Sequence, residues 1–136
     1  MKEAYVSYEV AKLLKEKGFA WRVFNFYDEH GGFSEHIGSV YSLYNWNYPT
    51  KDEYGSQYCS APTQQMAMRW FREEKMIFIS PFPTFKSSPT FKSRLPYSWR
   101  VDIKNCFGEE LGGNYEYITY EDAVEAALEY CLTNLI

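Results

Sequence analysis

The sequence predicts a single α+β domain spanning residues 1–136, with three helices packed against a mostly antiparallel sheet. Apolar residues recur at helical spacing in three segments, and shorter runs rich in aromatic and β-branched residues lie between them. These elements follow each other in the order α-β-β-α-β-β-α. The length of 136 residues is that of one domain.

Three segments have the periodicity of amphipathic helices: 8–17, 63–75 and 120–134. Ser7 is the predicted cap of the first helix, and Gly18 offers that helix a left-handed stop. Either Ser60 or Thr63 caps the second helix, and Thr119 begins the third as part of a capping box. Each predicted helix therefore has a recognisable start.

Four runs are predicted to be strands: 19–27, 37–44, 76–80 and 97–104. The first is apolar on both faces, as a central strand is, and a turn at Gly31-Gly32 joins it to the second as a hairpin. In the fourth, Tyr97 and every second residue after it are apolar, which predicts one buried face. Residues 115–118 offer a further short edge strand.

Two long loops are predicted, at 45–60 and 81–96. The first lacks periodicity, and the second contains four prolines, each of which fixes φ and removes a backbone donor. The second loop also repeats Pro-Thr-Phe-Lys-Ser, at 83–87 and at 89–93. We interpret the repeat as a doubled loop insertion, since loop closure costs only about 0.6 kcal/mol more per doubling of length.

Charge is unevenly distributed along this acidic chain, whose net charge is −4. Residues 83–104 contain five basic side chains against the single acid Asp102. From Glu109 to the end there are seven acids and no Lys or Arg. The sequence pI of about 5.2 and the lack of a basic face on any predicted helix argue against duplex DNA as a partner.

The residues that could support catalysis or metal binding are few. His30 and His36 lie across a glycine turn with no third ligand indicated, so we expect a solvated hairpin tip and no metal. Cys59 precedes a predicted helix, whose dipole would favour its thiolate, but no base is placed beside it. Walker, dinucleotide-binding and zinc-protease motifs are missing from the sequence. We therefore predict no enzymatic activity and no cofactor.

Other features of the sequence predict a cytoplasmic protein without a membrane partner. The first residues, MKEAYVSYEV, contain no apolar run typical of a signal peptide. No apolar run approaches the about 20 residues that span a bilayer. The three cysteines are odd in number and lack C-x-x-C spacing, which suits reduced thiols.

The three predicted helices contain the blocks KEAYVSYEVAKLLKEKGF (2–19), SAPTQQMAMRWFREE (60–74) and YEDAVEAALEYCLTNLI (120–136). These blocks resemble a family of small proteins carried by phages, prophages and mobile elements of gut bacteria. The region 76–100, including the repeat, departs from the family's pattern. The resemblance implies a cytoplasmic accessory protein of phage type, and it transfers no catalytic residues.

Two stretches combine residues suited to binding: the ring-rich loop region 41–58 and the basic stretch 83–104. Aromatic rings stack on bases, and Lys and Arg side chains bind phosphates. The predicted ligand-binding residues are Tyr44, Trp46, Tyr48, Lys86, Lys92, Arg94, Trp99 and Arg100. In the alternative interpretation, the rings of 41–58 belong to the core and the basic stretch is a solvated loop.

We predict a non-enzymatic accessory protein that binds a small anionic, nucleotide-like ligand. For a protein of phage type, this binding could sequester a host immune signal. The alternative is a protein-interaction or inhibitor module, in which exposed rings form a partner surface or a homodimer seam. An enzyme that uses Cys59 or a histidine is the third hypothesis.

Overall fold

A computed structural model describes residues 3–35, 43–47, 58–85, 97–113 and 115–136. Within these residues, three helices and six short strands form an α+β fold with antiparallel pairing, which confirms the predicted class. The chain divides into two compact units, Met1–Ala67 with Ile136 and Met68–Leu135. That the whole chain is one domain stays a prediction.

The helices are α1 (Tyr8–Glu16), α2 (Gln64–Glu74) and α3 (Tyr120–Asn134). The strands are β1 (Asn25–Tyr27), β2 (Phe33–Glu35), β3 (Cys59–Ser60), β4 (Phe78–Thr84), β5 (Ser98–Lys104) and β6 (Glu110–Gly113). They form two three-stranded sheets, in the orders β2-β1-β3 and β4-β5-β6. The predicted single sheet is therefore two sheets in the described residues, because the strands before α2 pair among themselves and the strands after α2 do the same. Among the described residues, no helix is long and apolar enough to cross a membrane.

Helix α1 begins and ends at the residues that the sequence predicts. The Ser7 hydroxyl accepts a hydrogen bond from the backbone N–H of Val10 at 3.2 Å, which caps the first turn. Gly18 has φ of 89°, and the N–H of Phe19 donates to the carbonyl of Leu14 at 2.9 Å. This is the Schellman arrangement, in which a left-handed glycine lets the chain satisfy the last carbonyls of the helix.

Helix α2 is capped by Thr63, whose hydroxyl accepts a hydrogen bond from the N–H of Met66 at 3.2 Å. Ala67, Trp70 and Phe71 are buried along one stripe, as the 3-and-4 spacing predicts. Of the two cap candidates, Thr63 is therefore the one used.

After α2 the chain turns at Met76, the one non-glycine residue with positive φ among the described residues (φ 54°). Because an L side chain is strained in this region, Met76→Gly should raise the free energy of unfolding by about 0.5–1 kcal/mol. Urea denaturation would measure the change. Met76→Ala keeps the Cβ and the strain, so it should give no stabilisation, and an equal gain in both variants would contradict this account.

The first hairpin is shorter than predicted. One carboxylate oxygen of Asp28 accepts hydrogen bonds from the N–H groups of His30 at 2.9 Å and Gly32 at 2.8 Å. The strand that returns beside β1 therefore begins at Phe33. Of the predicted strand 37–44, residues 37–42 lie outside the described residues. An Asx turn of this kind closes within a few residues, which the glycine pair alone did not indicate.

Strand β1 is central in its sheet, as predicted, but it is only the end of the predicted run 19–27. Upstream of it, Val23 makes one isolated bridge with Tyr44, with both backbone hydrogen bonds formed. On its other side, β1 pairs with β3, which lies at the end of the predicted loop 45–60. A two-residue strand lies below what periodicity can detect.

Strand β4 continues through Pro81 and Pro83 to Thr84, so the predicted loop 81–96 begins too early. Proline is tolerated here because β4 is an edge strand. Trp99, which lies opposite Pro83, directs its backbone N–H and carbonyl to Tyr117, at 2.7 and 2.9 Å. The missing N–H of the proline therefore leaves no acceptor unsatisfied at this position.

The alternation predicted for 97–104 holds in the second half of β5, where Val101 and Ile103 are buried. At its start the pattern is reversed, since Tyr97 is 60% exposed and Ser98 only 6%. The hydroxyl groups of Ser98 and Thr84 are hydrogen-bonded to each other across the strand pair. This partner makes the burial of Ser98 inexpensive.

Strand β6 replaces the predicted edge strand 115–118, of which only Tyr117 forms an isolated bridge. Its last residue, Gly113, lies opposite Asp102 with φ of 115°. A Cβ at Gly113 would lie 2.3 Å from the carbonyl oxygen of Val101. The glycines that suggest a turn in the sequence thus permit a close approach of two strands.

Candidate functional site

Half of the eight predicted binding residues lie outside the described residues: Tyr48, Lys86, Lys92 and Arg94. Most of the Pro-Thr-Phe-Lys-Ser repeat lies outside them as well. Of the other four, Tyr44 and Trp46 belong to the first unit, and Trp99 and Arg100 to the second.

Trp46 is a structural ring in the first unit. Its centroid lies 4.3 Å from that of Phe26 and 6.3 Å from that of Tyr58. The indole N–H donates to the carbonyl of Val23 at 3.1 Å, and the backbone N–H donates to the Ser60 hydroxyl at 3.0 Å. For Trp46, the alternative that these rings serve the core is the one that the structure supports.

Asn47 holds the same segment in place through its side-chain amide. The amide nitrogen donates to the carbonyl of Phe19 at 2.9 Å, and the amide oxygen accepts from the N–H of Ser60 at 2.8 Å. The segment 43–47 is therefore anchored at two successive residues, although it has no regular structure. Periodicity gives no sign of such contacts, because the partners are distant in sequence.

Tyr44 is 45% exposed, and its ring lies edge-on to Trp46 at a centroid distance of 5.1 Å. It lines an open depression of about 550 Å³. The other lining residues are Ala20, Arg22, Leu43 and Asn45. No acidic group among the described residues forms an ion pair with Arg22. The depression thus offers an exposed ring beside a guanidinium group.

Arg22 was not among the predicted residues. It lies inside the run 19–27, which the sequence presents as a strand that is apolar on both faces. Because only the last residues of that run are in β1, Arg22 is exposed on irregular backbone. The signal that could have identified it is that it is the one charged residue in this run.

Trp99 and Arg100 do not combine into one ring-and-cation site, because successive residues of a strand point to opposite faces. The Trp99 ring packs edge-on against Tyr120 at 5.2 Å. The Arg100 guanidinium forms a 3.0 Å ion pair with Glu116, and its Nε is buried without a hydrogen-bond partner among the described residues. Both side chains therefore serve local structure in the second unit.

A second and narrower space lies in the second unit, as a groove of about 290 Å³ between α3 and the strands β5 and β6. Its floor is apolar, with Val101 and Ile103 from β5 and small alanines from α3. Three tyrosines and one acid stand around it: Tyr115, Tyr117, Tyr130 and Glu129. None of the residues predicted to bind a ligand lies in this groove, whose one signal in the sequence is the alternation of tyrosines at 115 and 117.

Tyr130 and Tyr117 differ in how the structure constrains their hydroxyl groups. The Tyr130 hydroxyl donates to the carbonyl of Leu111 at 3.1 Å, and a Cβ on Gly112 would lie 2.5 Å from the Tyr130 ring. Burial raises the pKa of the Tyr117 hydroxyl, and the neighbouring Tyr115 and Glu129 side chains raise it further. The hydroxyl of Tyr117 is thus kept neutral beside an acidic side chain.

Cys59 is a buried thiol in β3, paired across the sheet with Tyr27. Burial raises the pKa of this thiol, against the opposing effect of the Lys15 and Lys12 charges. The shift is opposite to the one expected from a helix N-terminus, because desolvation of the thiolate outweighs the nearby positive charge. Among the described residues, no group of three or more potential ligands could hold a metal ion.

The three free cysteines should differ in reactivity, since Cys106 is exposed whereas Cys59 and Cys131 are buried. In native buffer, Ellman's reagent should titrate one thiol rapidly, and in guanidinium it should titrate all three. Cys106→Ser should abolish the rapid phase. A rapid phase that survives in this variant would show that a buried thiol is accessible.

Comparison with protein-family models, with curated proteins and with solved structures gives no match for this chain.

Proposed function

We propose that this chain is a non-enzymatic binding protein for a small anionic, nucleotide-like ligand. The observation that supports the proposal is that Tyr44 and Arg22 line the same depression in the first unit. The predicted stacking ring is thus next to a cation, although that cation is not one of those predicted from the sequence.

The chemistry of this pair suits a phosphorylated aromatic ligand. Stacking of a base on an aromatic side chain contributes about 1–3 kcal/mol. A guanidinium group binds phosphate oxygens through two parallel hydrogen bonds. The ring of Tyr44 is already positioned before a ligand binds. Its backbone N–H and carbonyl are both hydrogen-bonded to the backbone of Val23, and its ring packs edge-on against Trp46. Less conformational entropy is therefore lost when the ligand binds.

The resemblance to phage-borne proteins suggests which ligands to test first. An accessory protein of that type that binds a nucleotide-like anion could act in the host cytoplasm by sequestering an immune signal. Cyclic dinucleotides and ADP-ribose derivatives combine the base and phosphates that the depression would accommodate. We propose ligands of this class, with no catalytic turnover.

Isothermal titration calorimetry with these ligands tests the proposal. Tyr44→Ala and Arg22→Gln should each weaken binding about tenfold or more, since each removes one of the two main contacts. Tyr44→Phe should retain most of the affinity because the ring remains. Arg72→Gln removes the same charge from an exposed position on α2 and is the matched control.

Two results would refute this proposal. One is the absence of heat and of thermal stabilisation with every ligand of the set. The other is an equal loss of affinity in Arg22→Gln and Arg72→Gln, which would show only a general charge effect.

A protein-interaction module is the second candidate, and one observation favours it. Two large apolar side chains of the second unit are almost fully exposed, Ile118 at 88% and Phe107 at 83%. Exposed apolar surface of this kind can form a contact with a protein partner. Light scattering after size exclusion would detect a homodimer, and Ile118→Ser with Phe107→Ser should then yield a monomer. An unchanged mass in wild type and variants, at the monomer value, would count against self-association.

A further inference from the structure

We propose that the groove between α3 and the strands β5 and β6 binds a small organic cation, an ammonium group carried on a compact apolar body. The groove belongs to the second unit, and its inferred ligand is opposite in charge to that of the depression at Tyr44. This inference is therefore independent of the proposed function.

The size and floor of the groove favour a small molecule. Its volume of about 290 Å³ lies just below the range of about 300–1,000 Å³ that is typical of ligand pockets, so it suits a small ligand. Val101, Ile103, Ala123 and Ala127 form a buried apolar floor. Contact with this floor would remove apolar surface of the ligand from water, at about 25 cal/mol per Å².

The tyrosines provide the chemistry that distinguishes a cation from a neutral molecule. Cations are attracted to the faces of aromatic rings, by about 0.5–2 kcal/mol per contact depending on desolvation. Tyr130 is held by its hydrogen bond to Leu111, and Tyr117 by its two backbone bonds to Trp99. Tyr115 is largely exposed and stands at the rim. One ring held through its hydroxyl, one ring on an anchored backbone and one outer ring thus line a single space.

The charge of the surroundings has the sign that a cation requires. Glu129 lines the groove, and the segment from Glu109 to the end contains six further acids and no Lys or Arg. The positive charge of Arg100 is already paired with Glu116. Because side chains alternate along β5, the Arg100 side chain also lies on the face opposite to Val101. The pKa of the Tyr117 hydroxyl is raised chiefly by burial, then by the neighbouring Tyr115, and Glu129 adds a smaller contribution in the same direction.

Choline and its neutral isostere 3,3-dimethylbutan-1-ol provide the test, because they share shape and differ in charge. Proton NMR of each probe would follow binding. When the protein is added, the methyl signal of choline should broaden and should shift upfield because of the ring currents of the tyrosines. We expect choline to bind about tenfold more tightly than the isostere.

Three variants assign the binding to the groove. Glu129→Gln removes the charge without changing shape, so it should reduce the preference for choline to about threefold. Ala126→Leu should fill the groove and abolish binding of both probes. Glu109→Gln has the same change in net charge at an exposed position outside the groove, and it should bind choline as the wild type does.

Circular dichroism and thermal denaturation would show which variants fold. If Ala126→Leu does not fold, Glu129→Gln still decides the test, because it changes an exposed side chain. The proposal is overturned if choline shows no binding at millimolar concentration, or if the isostere binds equally well. It is also overturned if Glu129→Gln and Glu109→Gln have the same effect.

Discussion

Gly113→Ala should lower the free energy of unfolding by about 2–4 kcal/mol. An alanine there would be held at φ of 115°, a strain of about 1–3 kcal/mol. Its Cβ would also lie 2.3 Å from the carbonyl oxygen of Val101, a backbone atom that can move only if β5 and β6 separate. Urea denaturation followed by circular dichroism would measure the loss.

Gly108→Ala is the matched control for this prediction. Gly108 also has positive φ, at 80°, but a Cβ there would meet nothing within 4 Å. Only the conformational strain is then added, so we expect a loss of about 1–2 kcal/mol. If the two substitutions destabilise equally, the close approach of β6 to Val101 contributes nothing to stability. Since Gly113 also lines the groove, Gly113→Ala should weaken choline binding as well.

Raising the pH from 9 to 12 should cost the folded chain up to about 4 kcal/mol through Cys131 alone. Burial raises the pKa of this thiol from 9.0 to about 12. The unfolded chain therefore loses the proton at lower pH than the folded chain does, and alkaline conditions favour unfolding. The stabilising contribution is complete below pH 9 and is lost as the pH rises toward 12, at about 1.4 kcal/mol per pH unit.

Urea denaturation at a series of pH values would measure this loss, and Cys131→Ala would isolate it from the titration of tyrosines and lysines. The variant should be less stable at pH 8, because it leaves a small cavity in the core. Its stability should then fall less steeply above pH 9 than that of the wild type. Parallel pH dependences in the two proteins would show that Cys131 titrates normally in the folded state.

The three helices could be predicted from the sequence with boundaries correct to about one residue. Their signals are local, since the Ser7 cap, the Gly18 stop and the Thr119 cap each act within one turn of the helix. The apolar face of α3 is likewise predicted by residues that recur in consecutive helical turns. Such elements need no knowledge of the rest of the chain.

The strands were harder to predict, because their existence depends on partners. Pro81 and Pro83 indicate a loop when considered alone, and only the edge position of β4 makes them acceptable. The glycines at 112 and 113 indicate a turn, but both lie in a strand, where the Tyr130 ring leaves no room for a Cβ at Gly112 and the carbonyl of Val101 leaves none at Gly113. In both cases the neighbouring strand determines whether the residue lies in a strand or in a turn.

The candidate sites show the same limit. Tyr44 was predicted from its residue type, whereas Arg22 acquires its interest only from sharing a depression with that ring. The groove unites Tyr115 and Tyr117 with Tyr130, which lies on a different element and is held in place by Leu111, 19 residues away. No pattern within a short window of sequence contains that relationship.

The sequence by itself determined the α+β class, the helices with their caps, and the separation of a basic stretch from an acidic C-terminal segment. These follow from interactions between residues a few positions apart and from composition. Only the tertiary structure decided which rings pack against other rings, as Trp46 does against Phe26, and which line a space that a ligand could enter. The physical reason is that a cavity is formed by the packing of distant segments, and its charge by which of their side chains remain unpaired.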